Sequence, residues 1–170
     1  VNPDKVGAIG ICGLSGMALT AAANDTRIKA VATSAMYDMS DSIRNHYQGD
    51  YYTPEQREKV KEHLAVMRDK EAKEGQAIPG SHTLAWDSTT PYGFFNFSLM
   101  EHIDEISPRP VLLITGEKAH SKYFADAAYA KLKAPKREIV VPGATHTDLY
   151  DQMDKIPFAD LVQFFDDALK

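Results

Sequence analysis

At 170 residues with 44% hydrophobic side chains, the chain has the length of one domain and enough apolar surface for a packed core. Its 24 acidic and 19 basic residues give a net charge of −5 with no Lys/Arg block, which excludes nucleic acid as a partner. No run approaches the roughly 18 apolar residues of a membrane span and the N-terminus does not read as a signal peptide, so no membrane partner and a cytoplasmic location are expected. A single cysteine excludes an internal disulfide, leaving Cys12 as an inert core thiol or a reactive one.

Val6 to Ile11 is short, apolar and β-branched, as a strand buried on both faces should be, and it ends at Cys12 before Gly13. Met17 to Asn24 is small and helix-favouring, suited to lie close against a sheet. Ile28 to Ala35 reads as a second strand, parallel to the first after the helical crossover. Residues from about 36 to 107 differ in character. They include a charged helix from Pro54 to Ala72, a Pro79-Gly80 break and the aromatics Trp86, Tyr92, Phe94, Phe95 and Phe97, and they read as a lid-like insertion. The alternation resumes with a strand at Pro110 to Thr115, a helix at Tyr123 to Leu132, a strand at Arg137 to Val141 and an amphipathic helix from about Pro157 to Ala168. The expectation is one α/β domain over 1–170 with about four parallel strands and one sheet edge lacking neighbours.

Two constellations carry chemistry. In Gly10-Ile11-Cys12-Gly13-Leu14-Ser15-Gly16 a nucleophile type sits on the corner between a buried strand and a helix. Such a corner thrusts one side chain out at the sheet's C-terminal edge, where the helix directs its N–H groups and positive dipole end. Those amides, Gly13 first, can hold an oxyanion. The alternative for Cys12 is a small buried hydrophobe. Ser15 is a second nucleophile candidate, but it requires the strand to continue across Gly13, so Cys12 is preferred. At the other end His146 follows a buried strand, as a general base facing Cys12 or as a loop histidine bonded to Asp148 or Asp151. Tyr37, Trp86, Phe94 and His120 are candidate substrate contacts, and Ser121, near the same rim, either touches substrate or caps the following helix. The remaining histidines show no metal-site spacing, and neither metal nor cofactor is expected.

At these residues the chain resembles the α/β-hydrolases, and within them the group similar to dienelactone hydrolase, whose elbow carries cysteine in place of serine. The stretches from Ser34 to Met39, Gly116 to Ser121 and Gly143 to Asp151 look like those of a bacterial subgroup. The resemblance implies the C-terminal part of that fold, a parallel sheet flanked by helices with a lid-like helical insertion. The N-terminal half would be missing or its place taken by a second copy, and the fragment alone would be inactive. It also implies an acid in the loop after Thr115, commonly G-x-x-D, but Gly116-Glu117-Lys118-Ala119 puts alanine there. Glu117 is then preferred as the acid partner of His146, with Asp38 the alternative.

The expected activity is hydrolysis of a small carboxylic ester or lactone through a Cys12–His146–acid set and an acyl-enzyme. The rivals are a hydrolase-like scaffold with a binding role and a redox-active thiol protein.

Overall fold

The computed structural model describes residues 2–80 and 87–170, which form two compact units: Val1–Asp38 with Leu99–Lys170, and Met39–Ser98. In the first unit, strands β1 (Val6–Ile11), β2 (Ile28–Ser34), β3 (Val111–Gly116) and β4 (Lys136–Val141) form a four-stranded sheet in that order. All pairings are parallel, with Ile9 opposite Ala32, Ala32 opposite Leu112 and Leu112 opposite Arg137. The central strands are the most deeply buried: every residue of β3 is inside, as its unbroken apolar run requires.

Helices cover both faces. Helix α1 (Leu14–Asn24) lies so close to β1 that a Cβ on Gly10 would fall 2.6 Å from the Leu14 carbonyl. A Cβ on Gly7 would instead fall 2.6 Å from the ring of Phe165 in helix α7 (Phe158–Ala168). Gly7 and Gly10 are an odd number of positions apart, so α1 and α7 lie on opposite faces. Under α7, Leu161, Phe164 and Phe165 pack on Ala32, Ala35, Leu112, Ile114, Ala144 and Leu149. Helix α5 (Lys122–Lys131) packs on β3 and on the 3-10 helix Ile103–Ile106, which also meets α1.

The second unit contains α2 (Met39–Asn45), α3 (Pro54–Glu74) and α4 (Pro91–Asn96), within the stretch expected as an insertion. Helix α3 starts on a reciprocal Thr53–Gln56 capping box and stops at Gly75 in the left-handed conformation, φ 69°. The carboxylate of Glu71 accepts from the Ile78 amide and from the hydroxyls of Ser88 and Thr89, holding the following loop to the helix. Among the described residues, no helix is long and apolar enough to cross a membrane.

The feature of the sheet that matters most for chemistry is a pair of zipped loops. The loop after β3 and the loop after β4 are joined by hydrogen bonds from the Glu117 amide to Val141, from the Lys118 amide to Ala144 and from the Gly143 amide to the Glu117 carboxylate. They approach so closely that a Cβ on Gly116 would collide with the Ala144 carbonyl, a backbone atom with little room to yield. Gly116→Ala is expected to destabilise the fold by about 1–3 kcal/mol, the range for forced overpacking. Equilibrium urea unfolding checks this, and a neutral result would mean that the loops separate easily.

Candidate functional site

Because the strands are parallel, their C-terminal ends open on one edge, and every residue of the candidate site in this unit follows one of them. Cys12 follows β1, Tyr37 follows β2, His120 and Ser121 follow β3, and His146 follows β4.

Cys12 has φ 55°, in the left-handed region that a side chain with a Cβ adopts only at some cost. It stays there because its backbone is tied on three sides. Its amide donates to Ser34 O at 3.0 Å, and its carbonyl accepts from Ser15 N at 3.0 Å and Tyr37 N at 3.1 Å. The half-buried side chain is thereby turned out of the strand direction at the start of α1. Gly13 is the N-cap residue of α1, and among the described residues no backbone carbonyl outside the helix takes its N–H. Ser15 is fully buried inside α1, its hydroxyl donating to Gly10 O at 2.9 Å and to Ser34 O at 3.3 Å. It is a strut that locks the corner.

His146 is 4% exposed and both of its ring nitrogens are engaged. Nδ1 lies 2.6 Å from Ser121 Oγ and Nε2 lies 2.7 Å from Tyr150 Oη. The rings of Tyr37 and His120 stand 4.6 Å and 5.0 Å from its own, and the Tyr37 hydroxyl in turn bonds His120 Nε2. Burial, and secondarily the neighbouring His120, push the imidazole down to about 4 from the ordinary 6.5, so it is neutral at physiological pH.

The acid expected beside His146 is not in contact with it. Glu117 is exposed and its carboxylate accepts from the Gly143 amide at 2.7 Å, bracing the β4 loop instead. Neither ring nitrogen bonds Asp38, the alternative acid, since Ser121 and Tyr150 occupy both. Nor does His146 pair with Asp148 or Asp151. Asp148 accepts from Lys155 at 2.6 Å and from the Thr145 amide at 3.0 Å, and these two, Lys155 first, hold its carboxyl down to about 2. Ser121 likewise departs from expectation: it stands at the N-cap of α5 but makes no side-chain capping bond.

Tyr37 and His120 therefore stand against His146, and Tyr37 also holds the Cys12 carbonyl through its backbone amide. No hydrogen bond joins the Cys12 thiol to His146 among the described residues. Phe94 lies half-buried in α4 of the second unit, its carbonyl accepting from Arg44 at 3.3 Å, and Trp86 lies outside the described residues. Tyr150 is the residue that sequence reasoning passed over entirely. Its signal is its place four residues after His146, one helical turn on, at the short helix α6 (Asp148–Asp151).

The shifted imidazole has a measurable consequence. Because the folded value lies below the unfolded one, the unfolded chain takes up the proton first as pH falls. The contribution of neutral His146 to stability is full above about 6.5 and is lost as pH falls toward about 4, by at most about 1.4 kcal/mol per pH unit. Urea unfolding across that window is expected to show a steeper loss for the wild type than for His146→Gln, and parallel curves would contradict the assignment.

No protein-family model matches the chain. It is 42% identical to the uncharacterized protein PA2218 of Pseudomonas aeruginosa, over 99% of this chain and 54% of that protein. The crystal structure of PA2218 superposes with a TM-score of 0.90, covering 99% of this chain and 62% of that one. The chain thus spans about half the length of this curated relative. The α/β-hydrolase GrgF from a Penicillium species matches at TM-score 0.69 and 19% identity, over 99% of this chain and 65% of that one. An esterase from Exiguobacterium antarcticum matches at TM-score 0.59 and 15% identity, over 95% and 67%. The four-stranded parallel sheet with its flanking helices therefore has the fold of the α/β-hydrolases.

Proposed function

We propose that the protein hydrolyses small carboxylic esters or lactones, with Cys12 as nucleophile and His146 as general base. The observation that carries this reading is the backbone of Cys12. A non-glycine residue at φ 55°, between a parallel strand and a helix, is the strained corner on which this architecture mounts a nucleophile. The resemblance to α/β-hydrolases supports the same assignment. A cysteine at the corner favours the dienelactone-hydrolase-like group as the nearest chemistry.

In the reaction, Cys12 Sγ gives its proton to His146 Nε2 and adds to the ester carbonyl. The oxygen of the tetrahedral intermediate lies at the start of α1, where the Gly13 N–H donates to it. As the intermediate collapses the C–O bond breaks, and the imidazolium returns the proton to the departing alkoxide. Water then gives a proton to Nε2 and adds to the thioester carbonyl; as this second intermediate collapses the C–S bond breaks, the imidazolium returns the proton to Sγ, and the carboxylic acid leaves. For the first step the Tyr150 hydroxyl must leave Nε2 so that the thiol can take its place. Tyr150 is 45% exposed. Tyr37 and His120 line the imidazole and are the substrate contacts closest to the chemistry.

One observation favours a second reading, a hydrolase-like scaffold without turnover: among the described residues no carboxylate bonds His146, and a phenol lies on its Nε2. Hydrolysis of p-nitrophenyl acetate by the intact parent protein, beside Cys12→Ala and His146→Ala in it, separates the two. The expected result is turnover above buffer that falls by about 100-fold or more in each variant. Wild-type turnover equal to buffer, or variants that keep full activity, would establish the scaffold reading instead.

A further inference from the structure

We infer that Ser121 is a positioning residue whose hydroxyl takes the place of a carboxylate at His146 Nδ1, so that the imidazole is oriented and held in one tautomer by the hydroxyls of Ser121 and Tyr150. The inference rests on the reading of His146 as general base. Four features of the site lead to it.

The first is burial. Ser121 is 1% exposed and its Oγ is 2.6 Å from Nδ1, so water does not compete for this hydrogen bond. The second is commitment. At a helix N-cap a serine hydroxyl ordinarily accepts from an amide of the first turn, yet here it makes no such bond and is directed at His146. The third is rigidity. Ser121 and His146 are carried on the two loops zipped by the Glu117, Lys118 and Gly143 amides, so their spacing is set by backbone hydrogen bonds. The Ser121 carbonyl also accepts from Phe124 N at 3.0 Å as α5 begins.

The fourth concerns the proton. A neutral imidazole has one N–H and one lone pair. The phenol of Tyr150, 2.7 Å from Nε2, is more acidic than an alkyl hydroxyl and so the better donor; on this inference its hydrogen goes to the Nε2 lone pair. Nδ1 then carries the ring proton and donates it to Ser121 Oγ. That is the tautomer in which Nε2 is the base, the same one a carboxylate at Nδ1 would select. The two hydroxyls share two of a carboxylate's three tasks: Ser121 orients the ring by accepting from Nδ1, and the Tyr150 phenol, by donating to Nε2, leaves the proton on Nδ1. Neither supplies negative charge to offset an imidazolium, so the site holds a correctly aimed but weak base.

The test is imidazole nitrogen NMR of the protein together with ester kinetics, for wild type, Ser121→Ala, Ser121→Thr and Ser121→Asp. The wild type is expected to show His146 with its proton on Nδ1 and no titration between about pH 5 and about pH 8. Ser121→Ala is expected to give mixed tautomers and a kcat lower by about ten-fold, the worth of one hydrogen bond, with KM little changed. Ser121→Thr, which keeps the hydroxyl, is expected to restore both. Ser121→Asp is expected to bring the His146 titration into the neutral range. A wild-type ring protonated on Nε2, or a Ser121→Ala protein with unchanged tautomer and unchanged kcat, would overturn the inference. If Cys12→Ala abolishes turnover while Ser121→Ala matches wild type in both readouts, the inference fails and the hydrolase reading stands. If no turnover exists but the tautomer shifts as expected, the positioning role stands and the hydrolase reading fails.

Discussion

Parallel pairing of four strands imposes the constraint from which the rest follows. Each strand must be left at its C-terminal end and re-entered from the other edge of the sheet, so four connections gather at one edge. Cys12, Tyr37, Ser121 and His146, which are far apart in sequence, come together there without a loop having to travel. The constraint also sets the strain. To leave β1 and begin α1 at once, with Gly10 pressed on the Leu14 carbonyl, the chain must turn within one residue, and Cys12 carries the positive φ. The buried Ser15 hydroxyl, bonded to carbonyls of β1 and β2, keeps that turn closed.

The second organising contact is the zipper between the β3 and β4 loops. It lets a glutamate serve a structural end, receiving the Gly143 amide, and it brings Ser121 under His146. The result is a histidine surrounded by hydroxyls and aromatic rings: Ser121 and Tyr150 on its nitrogens, Tyr37 and His120 against its faces. In such surroundings the charged form is poorly solvated and His120 stands beside it, which is why its proton is held so weakly. On the proposed reading, the base is neutral at rest, and the rate is set by how much imidazolium character the transition state demands.

Much of this is legible in the sequence, for identifiable reasons. The four strands stand out because apolar β-branched runs such as Val111–Ile114 are bounded by glycine and proline, and α7 because its phenylalanines repeat at helical spacing. The corner at Cys12 is legible because a nucleophilic side chain sits where an apolar strand gives way at once to glycine and a run of small, helix-favouring residues. The partner of His146 is not. Glu117 is two residues from the expected place and chemically apt, but sequence proximity does not reveal that its carboxylate faces a loop amide. Ser121 and Tyr150 are hidden for the opposite reason: serine before a helix reads as a cap, and a tyrosine in a polar loop reads as surface. Only the close approach of the two loops makes either a neighbour of the imidazole.

The most direct test of this chemistry is to catch the acyl group on the corner. The protein would be mixed with p-nitrophenyl acetate, quenched in acid and digested, and the peptide between Lys5 and Arg27 sequenced by mass spectrometry. The expected product is an acetyl group on Cys12, removed by hydroxylamine as a thioester is, and it should accumulate in His146→Ala, where deacylation is slowed more than attack by an activated ester. Acetyl on Ser15, or none on this peptide while turnover proceeds, would contradict the assignment of Cys12 as nucleophile.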